Sequence, residues 1–105
     1  MANNVQTIPS VAITPTHTAV TIGSSTTAVL AANANRTYVL LVNDSDAVVY
    51  VKLGAAAAMN AGVRLNANGG SYEMSYNIGN LYTGAINGIS AAGSKVLLVT
   101  EGVAS

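Results

Sequence analysis

His17 is the only histidine of the chain and the side chain best suited to act as a general base near neutral pH. A catalytic triad or a histidine metal cluster needs partners, and no serine, cysteine or aspartate close in the sequence suggests one. Partners brought near by the fold stay an open alternative. We interpret His17 as a solvated or interface residue and predict no catalytic residue in this chain.

Two aspartates, Asp44 and Asp46, stand two residues apart and alternate with Asn43 and Ser45. Their oxygens offer ligands for calcium, but calcium loops need further acidic ligands, and no glutamate closes this one. Asn and Asp side chains also bond their own backbone in tight turns. We therefore predict an ordinary turn, with calcium as the alternative, and no metal or other cofactor.

The remaining carboxylates, Glu73 and Glu101, raise the question of a glycosidase. Such an enzyme places two carboxyl groups about 5 to 10 Å apart in a cleft, a distance that a sequence does not show. Both residues fall within or at the end of a predicted strand. We favour charges that protect strand edges against unwanted pairing.

The four cations, Arg36, Lys52, Arg64 and Lys95, each fall on or beside a predicted strand. Arginine keeps ion pairs at interfaces at a lower hydration cost than lysine. We therefore predict Arg36 and Arg64 as candidate contacts to a partner protein, with solvated edge charges as the alternative.

The tyrosines have two interpretations. Because the chain has no Phe or Trp, Tyr72 and Tyr76 are favoured as core rings. The alternative is a stacking platform for a sugar, to which Tyr82 would also belong.

Composition excludes several functional classes. Four basic and four acidic residues among 105 give a net charge of zero, so the chain lacks the basic surface of a nucleic-acid binder. There is no cysteine and no apolar run long enough to cross a membrane. The first residues lack the pattern of a signal peptide, so we expect synthesis in the cytoplasm of a host cell. So little charge also predicts that other proteins cover much of the surface.

Strand and turn signals alternate from Thr18 to the end of the chain. The pattern predicts one all-β domain, a small β-sandwich or jelly roll of about eight short strands. We expect the loop around Asn43 and the loop around Gly69 to close β-hairpins, and the alanine-rich segment after Gly54 to form a loop or single turn. The predicted strands cover residues 18–22, 26–32, 36–43, 47–53, 61–65, 71–76, 81–90 and 95–101.

Residues 1–17 form a predicted extended N-terminal arm, and residues 18–105 the β-sandwich domain. Pro9 and Pro15 favour an extended backbone. The arm's apolar residues are spaced so that a neighbouring chain can bury them, and they are the other predicted interface residues: Val5, Ile8, Val11 and Ile13.

The block from Thr26 to Gly102 resembles small virion proteins of tailed bacteriophages, of the head decoration type. The stretches that carry the resemblance are AANANRTY at 31–38, VNDS at 42–45, VRLN at 63–66 and KVLLVTE at 95–101. The resemblance implies a cement protein that sits on the capsid surface of a virion, commonly as a homotrimer, and bridges capsid subunits.

These observations predict a non-enzymatic bacteriophage structural protein. Its expected partners are the major capsid protein or another virion protein, together with further copies of itself, and neither nucleic acid nor a membrane. The alternatives are a carbohydrate-binding module on a phage tail or surface, and a structural component of the neck or tail.

Overall fold

A computed structural model describes residues 12–105 of the chain. This part contains eight β-strands and no helix, and therefore no helix that would cross a membrane. The strands are β1 (Ile13–Ile22), β2 (Thr27–Leu30), β3 (Arg36–Asn43), β4 (Val49–Leu53), β5 (Val63–Leu65), β6 (Ser71–Ser75), β7 (Ile86–Ile89) and β8 (Lys95–Ala104).

The eight strands form two antiparallel four-stranded sheets. Sheet A has the order β1-β8-β3-β6, and sheet B has the order β2-β7-β4-β5. The first strand pairs with the last, the second with the seventh, the third with the sixth and the fourth with the fifth, as in one long hairpin. Successive strands enter opposite sheets, except β4 and β5 at the tip of this hairpin, which share sheet B. This is a jelly-roll arrangement. The predicted all-β sandwich of about eight short strands is therefore confirmed.

The two predicted hairpins are wrong. The loop after Asn43 leads from β3 in sheet A to β4 in sheet B, and the loop around Gly69 leads from β5 in sheet B to β6 in sheet A. Turn residues signal that the chain reverses, but they do not say which strand it pairs with next. The loop between β4 and β5 does connect paired strands, and it contains the alanine-rich segment, which forms no helix.

The core lies between the sheets and consists of small aliphatic side chains and one methionine. Alternate residues along each strand point inward, as the period of two requires. Each fully buried aliphatic side chain stabilises the fold by about 1.5 to 3 kcal/mol. The buried cluster contains Ile22, Val29, Val39, Leu41, Val49, Val51, Leu65, Met74, Ile86, Leu97 and Val99.

Two loops meet at one end of the sandwich. The backbone N–H groups of Asn68 and Gly69 donate to the carbonyls of Ser45 and Asn43, at 2.7 and 2.8 Å. The buried side chain of Asn43 donates to the carbonyls of Ala47 and Leu65, at 2.8 and 3.0 Å. These bonds hold the crossing between the sheets in place.

The predicted boundary between arm and domain falls inside a strand. β1 begins at Ile13 and pairs with β8 over ten residues, so residues 13–17 belong to the sandwich. Ile13 is half-buried, and its Cδ1 atom would lie 2.8 Å from a Cβ atom added at Gly102. The sequence predicts β8 as residues 95–101 but reveals neither its extension to Ala104 nor its pairing with β1. Val5, Ile8 and Val11 lie outside the described residues.

Candidate interaction surface

The outer face of sheet A is the surface that points away from sheet B. The register aligns its side chains in rows across the four strands. The rows with a member from every strand are Ala19–Leu98–Val42–Ser71, His17–Thr100–Leu40–Glu73 and Pro15–Gly102–Tyr38–Ser75.

The centre of this face is apolar. Leu40, Val42 and Leu98 project from β3 and β8, and Leu98 is 40% exposed. Together with Ala19, His17 and Thr100 they line a shallow depression of about 380 Å³. An antiparallel sheet that is wet on one side carries polar residues on that side. An apolar outer face is instead typical of a surface that binds another protein.

Polar side chains at the two edges of this face are held by hydrogen bonds. His17 Nδ1 lies 3.0 Å from Thr100 Oγ1, and the Tyr38 hydroxyl donates to Glu73 Oε2 at 2.6 Å. The bond to Glu73 is the main reason why the pKa of Tyr38 lies above its ordinary value of 10.0, and desolvation raises it further. An apolar centre with a polar rim is the usual anatomy of a protein–protein interface.

The outer face of sheet B has a different character. Lys52 and Arg64 are exposed on it, and neither forms an ion pair with any of residues 12–105. Tyr50 donates to Asn60 Oδ1 at 2.8 Å, and Asn87 Nδ2 donates to the carbonyl of Gly54 at 2.7 Å. Arg64, a predicted contact residue, thus lies on the positively charged face of the sandwich. Its contact with a partner protein remains a prediction.

Arg36, the other predicted contact residue, is buried. It is 1% exposed, and its Nε donates to Glu101 Oε2 at 2.9 Å. Nη1 donates to the carbonyls of Tyr82 and Gly84, both at 2.9 Å, and Nη2 donates to that of Ala31 at 2.6 Å. A guanidinium whose three nitrogens are all occupied inside the fold does not contact a partner. The prediction for Arg36 is therefore corrected to a structural role.

Hydrogen bonds and an ion pair within the chain hold the aspartate turn. Lys95 Nζ donates to Asp46 Oδ1 at 2.7 Å, and this bond lowers the pKa of Asp46 below its ordinary value of 3.8. Ser45 Oγ donates to Asn43 Oδ1 at 2.6 Å. Two of the four oxygen-bearing side chains proposed as calcium ligands thus bond each other, and a third is paired with a lysine. Nowhere in residues 12–105 do three His, Cys, Asp or Glu side chains cluster as metal ligands would.

The two glutamates lie on opposite faces of sheet A. Glu101 is directly opposite Val39, whose side chain points into the core, and Glu73 is opposite Leu40, whose side chain points outward. Two carboxyl groups separated by a sheet do not share a cleft, so this geometry does not fit a glycosidase.

The tyrosines do not form a common patch. Tyr72 and Tyr82 pack against the core, whereas Tyr76 is 58% exposed. Tyr76 borders a cleft of about 560 Å³ whose other residues include Asn35 and Thr83. The sugar-binding alternative requires Tyr72, Tyr76 or Tyr82 exposed on one patch. Of these three rings only Tyr76 is exposed, so it would have to bind a sugar alone.

Sequence reasoning missed the residues at the centre of the outer face. The strands that contain Leu40, Val42 and Leu98 read RTYVLLVN and KVLLVTE, and both are apolar at odd and even positions. That double pattern is the sequence signal for a strand covered on both faces, and residues 47–53, which contain β4, show it in part. In the structure the outward residues of β4 are Tyr50 and Lys52, which are not purely apolar.

The sequence matches no protein-family model, and no curated protein matches it. Among solved structures, the chain is similar to one from Bacillus endospore appendages, which are described as a family of disulfide-linked pili. The identity is 11%, the match covers 97% of this chain and 98% of that chain, and the TM-score is 0.47. A likeness at this level does not identify a function.

Proposed function

We propose that this chain is a non-enzymatic structural protein that binds protein surfaces, including other copies of itself. The observation that carries the proposal is the apolar outer face of sheet A, centred on Leu40, Val42 and Leu98. No element within residues 12–105 covers this face.

The distribution of charge supports the same function. Of the four cations, Arg36 and Lys95 are neutralised by ion pairs within the fold. The outer face of sheet A carries one carboxylate, Glu73, and one histidine, His17, and is otherwise uncharged. Few charges must therefore be desolvated when a partner covers it, and this keeps the cost of association low.

The proposed setting is the capsid surface of a tailed bacteriophage, and it rests on the sequence resemblance. A capsid displays many identical sites, so multivalent attachment by an oligomer makes modest single contacts sufficient. The proposed role is decoration and stabilisation of the shell through contacts with the major capsid protein.

Counting the chain in purified particles from its source tests this proposal. Quantitative mass spectrometry would give its copy number relative to the major capsid protein. On the order of hundreds of copies per particle supports capsid decoration, whereas about a dozen or fewer indicates a symmetric neck or tail ring. Absence from the particles would refute the virion role.

A binding measurement with one variant tests the surface. Particles stripped of the chain would be titrated with the wild-type protein and with Leu98→Lys, which places a charge at the centre of the outer face. We expect at least a tenfold loss of affinity, because the lysine is desolvated when a capsid subunit covers the face, or when a second copy covers it to form the oligomer that attaches multivalently. Lys52→Glu, an exposed position on the outer face of sheet B, is the matched control. Equal binding by wild type and Leu98→Lys would show that another surface docks.

A further inference from the structure

His17 and Glu73 are the two ends of one row on the outer face of sheet A. The register places Thr100 and Leu40 between them, so the row runs from edge strand β1 to edge strand β6. Three strand spacings separate the ends by about 14 Å. Within one copy they are too far apart to pair.

Each end retains an unused hydrogen-bonding atom. His17 is engaged through Nδ1 with Thr100, and Nε2 has no partner within residues 12–105. In the tautomer with its proton on Nε2, the ring accepts from Thr100 and has one N–H left to donate. Glu73 accepts from Tyr38 through Oε2, which leaves Oε1 to accept. A donor at one edge and an acceptor at the other make the face complementary to itself.

Only one of the two simple two-fold axes brings these ends together. An axis that lies in the interface, parallel to the strands and between β8 and β3, reverses the strand order and preserves the rows. It sets β1 of one copy over β6 of the other, and thus His17 over Glu73, twice. An axis across the strands along this row sets Glu73 over Glu73, which places like charges together.

We propose that the outer face of sheet A is a two-fold interface between two copies of this chain, in which His17 of each copy pairs with Glu73 of the other. The same axis places Leu98 over Val42, so apolar side chains meet between the two pairs. Sheets that pack face to face align within about 30°, which is compatible with this arrangement. The inference rests on the proposed function, since it names the surface and the partner.

The size of the face fits a modest dimer. The ten-residue strands β1 and β8 are about 33 Å long, and four neighbouring strands span about 19 Å. Because β3 and β6 are shorter, the area of the face is about 500 Å². Two such faces bury about 1,000 Å² in total, at the lower limit of specific interfaces. We therefore expect a dimer that dissociates in the micromolar range, unlike the trimer that the resemblance implies.

Thiol cross-linking tests the pairing directly, because the full chain has no cysteine. His17→Cys and Glu73→Cys would be prepared separately, mixed, and treated with a short bismaleimide that spans the roughly 10 Å between packed sheets. We expect a covalent dimer in the mixture and none from either variant alone, since each thiol then faces Glu73 or His17 of the other copy rather than a second thiol. Arg64→Cys mixed with either variant is the control and should stay uncross-linked.

A charge exchange measured by analytical ultracentrifugation provides the second test. The wild-type dimer has about twice the 10.5 kDa mass of the chain. His17→Glu faces Glu73 of the partner and should weaken the dimer at least tenfold, and adding Glu73→Lys should restore most of the affinity. Both positions are exposed, and circular dichroism would verify the fold of each variant.

Several outcomes overturn the two-fold interface. These are cross-linking of Glu73→Cys with itself, no cross-linking in the mixture, a trimer mass, or a double variant no tighter than His17→Glu. If cross-linking fails while the wild-type chain still binds particles, the two-fold contact is wrong and the proposed function stands. A chain that neither self-associates nor binds particles would refute both.

Discussion

Arg36 and Glu101, 65 residues apart in the chain, form an ion pair of 2.9 Å that closes one end of the sandwich. The guanidinium also binds the carbonyl of Ala31, which follows β2, and those of Tyr82 and Gly84, which precede β7. One side chain thus joins three distant parts of the chain. Each of these carbonyls would lose a hydrogen-bond donor if the arginine were removed.

We expect Arg36→Ala to lower the free energy of unfolding by about 3 to 5 kcal/mol, since it leaves the largely buried Glu101 without its partner. Urea denaturation followed by circular dichroism measures this. Arg64→Ala removes the same kind of side chain from an exposed position and should change the stability by less than about 0.5 kcal/mol. Similar losses for the two variants would contradict the structural role of Arg36.

Alkaline pH should weaken the bond between Tyr38 and Glu73. Because the pKa of Tyr38 is raised above 10.0 in the folded chain, the neutral phenol is stabilised by folding. This contribution is complete below about pH 10 and is lost as the pH rises through the raised pKa. Melting temperatures between about pH 8 and pH 12 should fall more steeply for the wild type than for Tyr38→Phe. Parallel curves would show that the bond does not contribute.

Acidic pH should weaken the pair of Lys95 and Asp46. The pKa of Asp46 lies below 3.8 in the folded chain, so its contribution is present above that value and is lost as the pH falls through the lowered pKa. Asp46→Asn should remove a small acid-dependent term from the stability curve, and high salt should remove it as well. Asp44→Asn removes a nearby exposed charge and serves as the control. A larger effect of Asp44→Asn would show that Asp44, and not Asp46, is responsible for the acid-dependent loss of stability.

Two truncations separate the arm from the first strand. Deleting residues 1–11 should leave cooperative unfolding intact, because the eight strands lie within residues 13–104. It should still weaken binding to particles, since Val5, Ile8 and Val11 contribute about 1.5 to 3 kcal/mol each if fully buried, before the entropy of ordering is subtracted. Deleting residues 1–17 also removes half of β1 and should destabilise the sandwich. If the shorter deletion abolishes folding, residues 1–11 belong to the core.

Gly70 should tolerate no side chain. A Cβ atom there would lie 2.3 Å from the backbone nitrogen of Asn66, whereas at Gly23 the closest atom would be 3.4 Å away. Gly70→Ala must displace backbone at the crossing between the sheets, and we expect a loss of about 1 to 3 kcal/mol. Gly23→Ala should cost clearly less. Denaturation midpoints of the two variants compare them, and equal losses would argue against this loop packing.

The sequence by itself determined the number of strands and the approximate place of each, but not every core residue, since Tyr76, predicted as a core ring, is exposed. Residues 36–43 were predicted as a strand with the bounds that β3 has, because dense β-branched and aliphatic residues between turn residues leave few alternatives. β1 and β8 are longer than predicted. Residues 13–17 and 102–104 include proline, glycine and threonine, and their strand conformation depends on tertiary pairing, of β1 with β8 and of β8 with β3.

The tertiary structure alone decided which strands pair and what each outward side chain meets. The turns after Asn43 and around Gly69 look local but connect different sheets, because strand partners are chosen by burial of whole faces rather than by the nearest reversal. The same limit explains Arg36 and Leu98. Three of the four acceptors that bury Arg36 lie 46 to 65 residues away from it, and the strands on either side of Leu98, β1 and β3, are also distant in sequence. A charged residue therefore became core and an apolar one became surface.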